Sequence, residues 1–172
     1  MKCFEERFYQ NSPGYPAPER LRKGPVAVIE CVEEIPCNPC ETICHFGAIK
    51  VGKPIINLPR LDEKKCKGCG KCIAVCPGLA IFVVDNTFNK REATVSLPYE
   101  FLPLPEKGER VNGLNRRGER ICSGKVIKII PPEKNDHTAV ITVAVPKECS
   151  GEIRNIELAQ AKALRLPGSR NL

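Results

Sequence analysis

A closely spaced cysteine quartet occupies residues 66–77, which read CKGCGKCIAVCP. Its members are Cys66, Cys69, Cys72 and Cys76, separated by two, two and three residues. Thiolate ligands of [4Fe–4S] clusters show this spacing, in which three thiolates of one tight loop bind one cluster and the fourth reaches another. Gly68 and Gly70 permit the tight turns that such a loop needs, and Pro77 follows the last cysteine. A zinc ribbon uses two separated cysteine pairs instead, so the quartet predicts an iron–sulfur cluster.

The pattern occurs a second time, further upstream in the chain. Cys37-x2-Cys40-x3-Cys44-x3-Ala48-Ile49 matches Cys69-x2-Cys72-x3-Cys76-x3-Ala80-Ile81. Five positions at one constant offset indicate an internal duplication. The upstream copy departs from the pattern at its first ligand, because Glu34 stands where a cysteine is expected and the nearest upstream cysteine is Cys31.

The duplication predicts two [4Fe–4S] clusters with crossed ligands. Cluster one takes Cys31, Cys37, Cys40 and Cys76. Cluster two takes Cys44, Cys66, Cys69 and Cys72. Cys31 serves as a ligand if the long loop Val32–Pro36 bulges. Two alternatives stay open for the first cluster: a three-iron cluster on three thiolates, or a remote fourth ligand such as Cys3.

Several further residues fit no ligand spacing. His45 takes the position that Pro77 holds in the second copy, and it is either a hydrogen-bond donor or ligand at a cluster or an ordinary surface residue. Cys3, Cys122 and Cys149 are predicted to be small buried residues or free thiols rather than a third site. Arg116-Arg117, with Arg120 and Lys125, form either a docking site for an acidic partner or a solvated face.

Composition places the cysteines in a reducing compartment. The 172-residue chain has 11 cysteines, and an odd number crowded at short spacings favours metal ligands over disulfides. The N-terminal residues lack the apolar stretch of a secretory signal, and the longest apolar runs, such as Ala80–Val84, are too short to span a membrane. We therefore expect a cytoplasmic protein without a membrane span.

The net charge of +7 raises the question of nucleic-acid binding. Two thiolate-bound clusters of charge −2 each would reduce it to about +3. No stretch of the chain is a continuous basic tract. We therefore expect no nucleic-acid partner.

The chain divides into three segments. Residues 1–24 are rich in proline, glycine and charge and are predicted to form an extended N-terminal arm. Residues 25–85 hold the cysteine repeat between two predicted strands, Val26–Ile29 and Ala80–Val84, which are expected to pair. Residues 86–172 are predicted to form a β-rich domain that ends in a helix. Its predicted strands are Ala93–Leu97, Ile121–Ile130 and Thr138–Val145, and its predicted C-terminal helix spans Gly151–Leu166 because Ile153, Ile156, Leu158, Ala161 and Leu164 recur at nearly helical spacing.

Residues 25–85 resemble a two-cluster bacterial ferredoxin domain, because both the ligand positions and the repeat match. The resemblance implies an α+β fold: a two-[4Fe–4S] ferredoxin-like domain, followed by the β-rich domain and the C-terminal helix. A narrower resemblance rests on Ile35-Pro36-Cys37-Asn38-Pro39-Cys40-Glu41. This stretch is similar to one in the small iron–sulfur subunits of FAD-dependent dehydrogenases of amino acids, imino acids, opines or glycerol 3-phosphate in anaerobic bacteria and archaea.

The narrower resemblance implies a relay role without catalytic residues in this chain. FAD-containing subunits of a hetero-oligomer would oxidise the substrate, and this subunit would pass single electrons between flavins or to an acceptor. The sequence has no Rossmann fingerprint and no P-loop, so nucleotide and flavin sites are expected in partners. A soluble shuttle ferredoxin with an accessory domain is the alternative, and a zinc protein that binds nucleic acid is a third hypothesis.

Overall fold

The computed structural model describes residues 11–135 and 137–158. Among these residues strands far outnumber helices, which are few and short, in agreement with a small α+β fold. The strands are β1 (Val26–Ile29), β2 (Ile49–Lys50), β3 (Arg60–Leu61), β4 (Ile81–Asp85), β5 (Glu92–Tyr99), β6 (Arg110–Leu114), β7 (Arg120–Ile130), β8 (Ala139–Pro146) and β9 (Asn155–Leu158). The α-helices are α1 (Pro18–Leu21), α2 (Pro39–Ile43) and α3 (Lys71–Ala74), and 3-10 turns span Pro132–Lys134 and Lys147–Cys149. No helix among the described residues combines the length and the apolar character needed to cross a bilayer.

One antiparallel sheet joins the cysteine-rich segment to the rest of the described chain. Its strand order is β1-β4-β5-β8-β7-β6-β9, while β2 and β3 form a separate antiparallel pair. The predicted pairing of the strands that flank the cysteine repeat is confirmed, because Ile29 lies opposite Ile81. Since β1 and β4 belong to residues 25–85 and the other five strands to residues 86–158, the division at residue 85 stays a prediction about sequence organisation.

The strands predicted in the second half of the chain are present. They correspond to β5, β7 and β8, which are the central part of the sheet. β5 and β8 pair along their whole length, from Glu92 opposite Pro146 to Tyr99 opposite Ala139.

The helix predicted from Gly151 is wrong for the residues that the structure describes. Residues 155–158 instead form β9, which pairs with β6. Ile153 and Ile156 are buried in the core beneath this part of the sheet, and Ile156 and Leu158 also stand two residues apart, a spacing that suits a strand as well as a helix. Pairing with the free edge of β6 decides between the two. Ala161 and Leu164 lie outside the described residues.

β4 is buried on both faces, because it separates two hydrophobic cores. Ile81 and Val83 pack into the core that contains cysteines of the repeat. Phe82 and Val84 point to the opposite side, into the core formed with the other strands, as the two-residue period of a strand requires. Burying an aliphatic side chain contributes roughly 1.5–3 kcal/mol, so β4 ties the cysteine loops firmly to the sheet.

The described part of the N-terminal arm lies on the cysteine-rich segment. Ser12 donates a hydrogen bond to the Ile29 carbonyl (3.0 Å), and the Ala17 N–H donates to the Glu63 carboxylate (2.7 Å). The Arg20 guanidinium donates to the carbonyl oxygens of Glu63, Gly24, Pro25 and Cys66. The arm therefore supports the strand before the first cysteine and the loop that carries Cys66.

A buried carboxylate joins β1 to the far end of the described chain. Glu30 follows β1 and is 7% exposed, and the equally buried Arg154 donates to it at 2.6 and 2.9 Å. Arg116 also donates to Glu30, from Nε at 2.8 Å and from its terminal nitrogen. Burial raises the pKa of the Glu30 carboxyl, but the hydrogen bonds from the two arginines outweigh burial, so its pKa lies below the ordinary value.

Replacing Glu30 by glutamine tests this contact. We expect Glu30→Gln to cost about 3 kcal/mol, because the buried Arg154 guanidinium loses its carboxylate. The measurement is the midpoint of anaerobic denaturation followed by circular dichroism. The matched control is Glu157→Gln, which breaks the exposed pair of Glu157 with Arg120 and is expected to leave the midpoint nearly unchanged. Equal shifts in both variants would contradict a special role for the buried pair.

A substitution also tests the role of Gly68, here by the amount of iron that the chain binds. It has a φ of +62°, and a Cβ there would lie 2.5 Å from the Pro25 Cβ. We expect Gly68→Ala to displace the loop of Cys66, Cys69 and Cys72 and to lower the iron bound per chain by up to about four. Gly47→Ala is the control, since Gly47 has a φ of +58° but no atom within 4 Å of its Cβ position. The same iron loss in both variants would assign the effect to backbone strain rather than to the Pro25 contact.

Candidate iron–sulfur centre

The turns that follow Cys37 and Cys69 share a backbone hydrogen bond at equivalent positions, although Asn38 has a φ of −146° where Gly70 has one of 79°. The Glu41 N–H donates to the Asn38 carbonyl and the Ile73 N–H to the Gly70 carbonyl, both at 3.0 Å. After these turns come the equivalent residues Gly47 and Leu79, both with left-handed φ angles, 58° and 51°. The repeat seen in the sequence is therefore a repeat of local structure.

Backbone N–H groups point at the sulfur atoms of three cysteines. The Ala48 N–H lies 3.3 Å from Cys44 Sγ, and at the equivalent place the Ala80 N–H lies 3.5 Å from Cys76 Sγ. The Ala27 N–H of β1 lies 3.4 Å from Cys66 Sγ. Such donors fix the orientation of a sulfur ligand and stabilise negative charge on it, which is how a protein tunes a cluster.

The eight cysteines surround two separate cavities, four to each. The first cavity is lined by Cys31, Cys37, Cys40 and Cys76. The second is lined by Cys44, Cys66, Cys69 and Cys72. These are the two crossed sets expected from the sequence, each with one cysteine from the opposite copy of the repeat. That they bind iron remains a prediction.

The chemistry of the two cysteine sets suits a multi-iron cluster. Burial, and then the neighbouring Cys76, raise the pKa of Cys40 to about 11. Burial, and then Cys66 and Cys69, raise the pKa of Cys72 to about 12. Grouped thiolates therefore need a positive core among them. Within residues 11–135 and 137–158, no three His, Cys, Asp or Glu side chains converge on a single metal ion, whereas a cluster takes one thiolate on each of its separate irons.

Cys31 reaches the first cavity without any insertion in the chain. Ile29 pairs with Ile81, and at the equivalent place in the second copy Leu61 pairs with Ile49. Cys37 therefore follows Ile29 at the same distance along the chain as Cys69 follows Leu61. Cys31 stands three residues earlier on a loop of unchanged length, and residues 33–36 are exposed at the mouth of the cavity.

The remaining candidates lie elsewhere. His45 is exposed and lines neither cavity, and Cys3 lies outside the described residues. Cys122 and Cys149 are neighbours that pack on the second core. Burial, and then the adjacent Cys149 thiol, raise the pKa of Cys122 to about 12. No spacing in the sequence indicates that these two thiols meet.

Sequence reasoning also missed a charged group beside the first cavity. Glu30 directly precedes Cys31 and, with Arg116 and Arg154, lines a groove of about 490 Å³ that includes Cys31 and Cys37. Arg116, predicted as a surface residue or a docking residue, is instead bound to Glu30. The only signal in the sequence was an acidic residue that ends an apolar strand.

The comparisons with known proteins agree with this chemistry. A family model of the 4Fe-4S binding domain matches residues 59–82. The chain is 45% identical over 47 residues to the B component of the ion-translocating oxidoreductase complex of Methanosarcina acetivorans, covering 27% of this chain and 17% of that protein. It is 45% identical over 38 residues to the B component of the Na(+)-translocating ferredoxin:NAD(+) oxidoreductase complex of Acetobacterium woodii, covering 22% of this chain and 11% of that protein.

A third relative is an uncharacterized ferredoxin of Methanocaldococcus jannaschii, 36% identical over 75 residues, or 41% of this chain and 44% of that protein. The chain therefore spans less than half the length of each of these relatives. No solved structure matches the chain. Residues 59–82 thus match a 4Fe–4S binding domain, and the chain shares weak homology with ferredoxin-type iron–sulfur subunits.

Proposed function

We propose that this chain is the iron–sulfur electron-transfer subunit of a multi-subunit FAD-dependent dehydrogenase and that it carries two [4Fe–4S] clusters. The observation that carries the proposal is the pair of cavities, each lined by four cysteines. Three of the four cysteines at the second cavity lie within residues 59–82, which match the 4Fe-4S binding domain. Cys31, Cys37, Cys40 and Cys76 hold cluster one. Cys44, Cys66, Cys69 and Cys72 hold cluster two.

The chain's own residues provide binding, orientation and exclusion of water. A bound [4Fe–4S] cluster supplies one-electron redox chemistry, which suits stepwise oxidation of a two-electron flavin. The N–H groups of Ala27, Ala48 and Ala80 orient the sulfur atoms. Ile29 and Ile81 border the first cavity and are almost fully buried, which keeps that side of the cavity dry.

Partners are proposed from two observations. The first two relatives are, by their names, subunits of oxidoreductase complexes, which supports a hetero-oligomer. The FAD-containing partner rests on the resemblance of Ile35–Glu41, a stretch that lies at the mouth of the first cavity with Ile35 50% exposed. A fixed interface at this mouth suits a subunit of a complex.

The proposed location is the cytoplasm, because thiolate ligands need a reducing compartment.

The second candidate function is a shuttle ferredoxin with an accessory domain. The relative from Methanocaldococcus jannaschii favours it, because that protein is named a ferredoxin and shares the longest matched stretch of the three. A shuttle would exchange electrons with several partners and would not stay bound to one.

Iron content of cysteine variants tests the two-cluster assignment. The anaerobically purified chain is expected to contain about eight irons. We expect Cys31→Ser to lower the iron content and to change the electron paramagnetic resonance spectrum of the reduced protein, because cluster one loses a ligand. Cys122→Ser is the control, since Cys122 lines neither cavity. An unchanged spectrum in Cys31→Ser, together with iron loss in Cys3→Ser, would move the fourth ligand to Cys3.

Native purification tests the subunit role. The untagged protein, purified from its source without oxygen, is expected to elute from a sizing column with a FAD-containing protein in a fixed ratio. Flavin fluorescence after acid release gives the amount of FAD in each fraction. A monomer that accepts electrons equally well from several unrelated donors would contradict the dehydrogenase role and favour the shuttle.

A further inference from the structure

The second cavity opens to solvent at one cysteine. Cys69 is exposed, whereas Cys66 and Cys72 are buried and Cys44 is partly buried. Lys67 and Lys71 flank Cys69, line the same cavity and are exposed. Phe46, 46% exposed, lines it from the other copy of the repeat. We call Phe46, Lys67, Cys69 and Lys71 the Cys69 surface, and the exposed Lys64 precedes it in the chain.

The lysines of the Cys69 surface keep their charge directed at solvent. The two acidic residues of the loop have other partners: Asp62 pairs with Lys65 at 3.2 Å, and the Glu63 carboxylate accepts the Ala17 N–H. No carboxylate pairs with Lys64, Lys67 or Lys71 among residues 11–135 and 137–158. These charges are therefore exposed to a partner rather than held in an ion pair within the described residues.

The repeat supplies an internal comparison for these lysines. The two loops share the turn that follows their second cysteine, so the copies can be compared position by position. In the register that aligns Cys69 with Cys37, however, Lys64, Lys65, Lys67 and Lys71 correspond to Val32, Glu33, Ile35 and Pro39. Among the residues that line the two cavities, the charged one at the first is Glu33, whereas those at the second are Lys67 and Lys71. The lining of the second cavity is therefore more basic than that of the first.

Basic charge continues beside the Cys69 surface. Arg22 and Lys23 are exposed and precede Pro25, the residue whose backbone lies against Gly68. The arm therefore adds two cations to the side of this loop.

We propose that the Cys69 surface is the docking surface for an acidic one-electron carrier protein. The inference rests on the proposed function, since it requires a cluster behind Cys69. An exposed aromatic side chain within a rim of lysines has the layout of a small interface, with an apolar contact inside and charges that steer the partner outside. Lys67 and Lys71 lie within two residues of the exposed thiol, where a partner must approach to exchange electrons.

Charge distribution favours a protein carrier over nucleic acid or a membrane. The acidic residues Asp62 and Glu63 directly precede the lysines, and the patch is small. Electron-transfer complexes are small and transient, and clusters of lysines that meet carboxylates at such interfaces give association rates that fall as salt rises.

Charge reversal tests the proposal on the full chain, purified anaerobically. A plant-type [2Fe–2S] ferredoxin of negative net charge serves as the acidic probe, and its dissociation constant is measured at ionic strengths of about 0.01 and 0.15 M. We expect Lys67→Glu with Lys71→Glu to weaken binding about tenfold at the lower ionic strength and to remove most of the salt dependence. Lys128→Glu with Lys134→Glu makes the same charge change at exposed residues of β7 and the turn after it and is expected to have little effect.

Equal weakening by both double variants would overturn the proposal, because only net charge would then matter. So would binding to a DNA 20-mer or to phosphatidylserine vesicles that depends on the same lysines and exceeds binding to the probe. Iron content and bleaching by dithionite are recorded on every sample. A chain without iron would contradict both the proposed function and this inference. A chain that contains iron and is reduced by dithionite, but whose binding of the probe does not depend on the lysines, would contradict this inference alone.

Discussion

Negative charge on grouped thiols is the constraint on which the rest of this structure depends. Burial already raises the pKa of Cys40 and Cys72, and neighbouring cysteines raise each pKa further. Four thiolates therefore stay together only around a positive core. Because Cys44 and Cys76 each line the cavity of the opposite copy, metal bound in both cavities would fasten the two copies together. The free energy of metal binding would then add to the free energy of folding. Such a contribution suits this chain, whose core has few aromatic residues to stabilise it.

The sheet and the arm hold these loops in place. β1 and β4 form the wall behind the cysteine loops with one face and join the second core with the other. Arg20 binds the Cys66 carbonyl from the arm, and Arg154 binds Glu30 from the far end of the described chain. Residues before and after the repeat are therefore part of what positions the cysteine loops.

The local parts of the structure were predictable from the sequence, and the non-local parts were not. Cysteine spacing and the constant offset between the copies predicted which thiols share a cavity, because a repeated loop imposes its geometry directly. Apolar runs bounded by turn residues predicted the central strands. The contact of Glu30 with Arg154 joins residues 124 positions apart and leaves no pattern in the sequence. The end of the described chain was misread because Ile153, Ile156 and Leu158 fit both a helix and a strand, and only the edge of β6 distinguishes them.

The differences between the two copies are more informative than their likeness. The two copies share the turn after their second cysteine, yet Glu34 stands at the position of Cys66, and Cys31 reaches the first cavity from three residues earlier. Gly47 corresponds to Leu79, which keeps the same left-handed φ at a steric cost and exposes 37% of its surface. Leu79 and Cys31 line the groove beside the first cavity, whereas the residues at the inner positions, Ala48 and Ala80 or Ile49 and Ile81, are identical. Folding therefore preserves the interiors of the copies, while their surfaces have become different, as expected if each mouth faces a different neighbour.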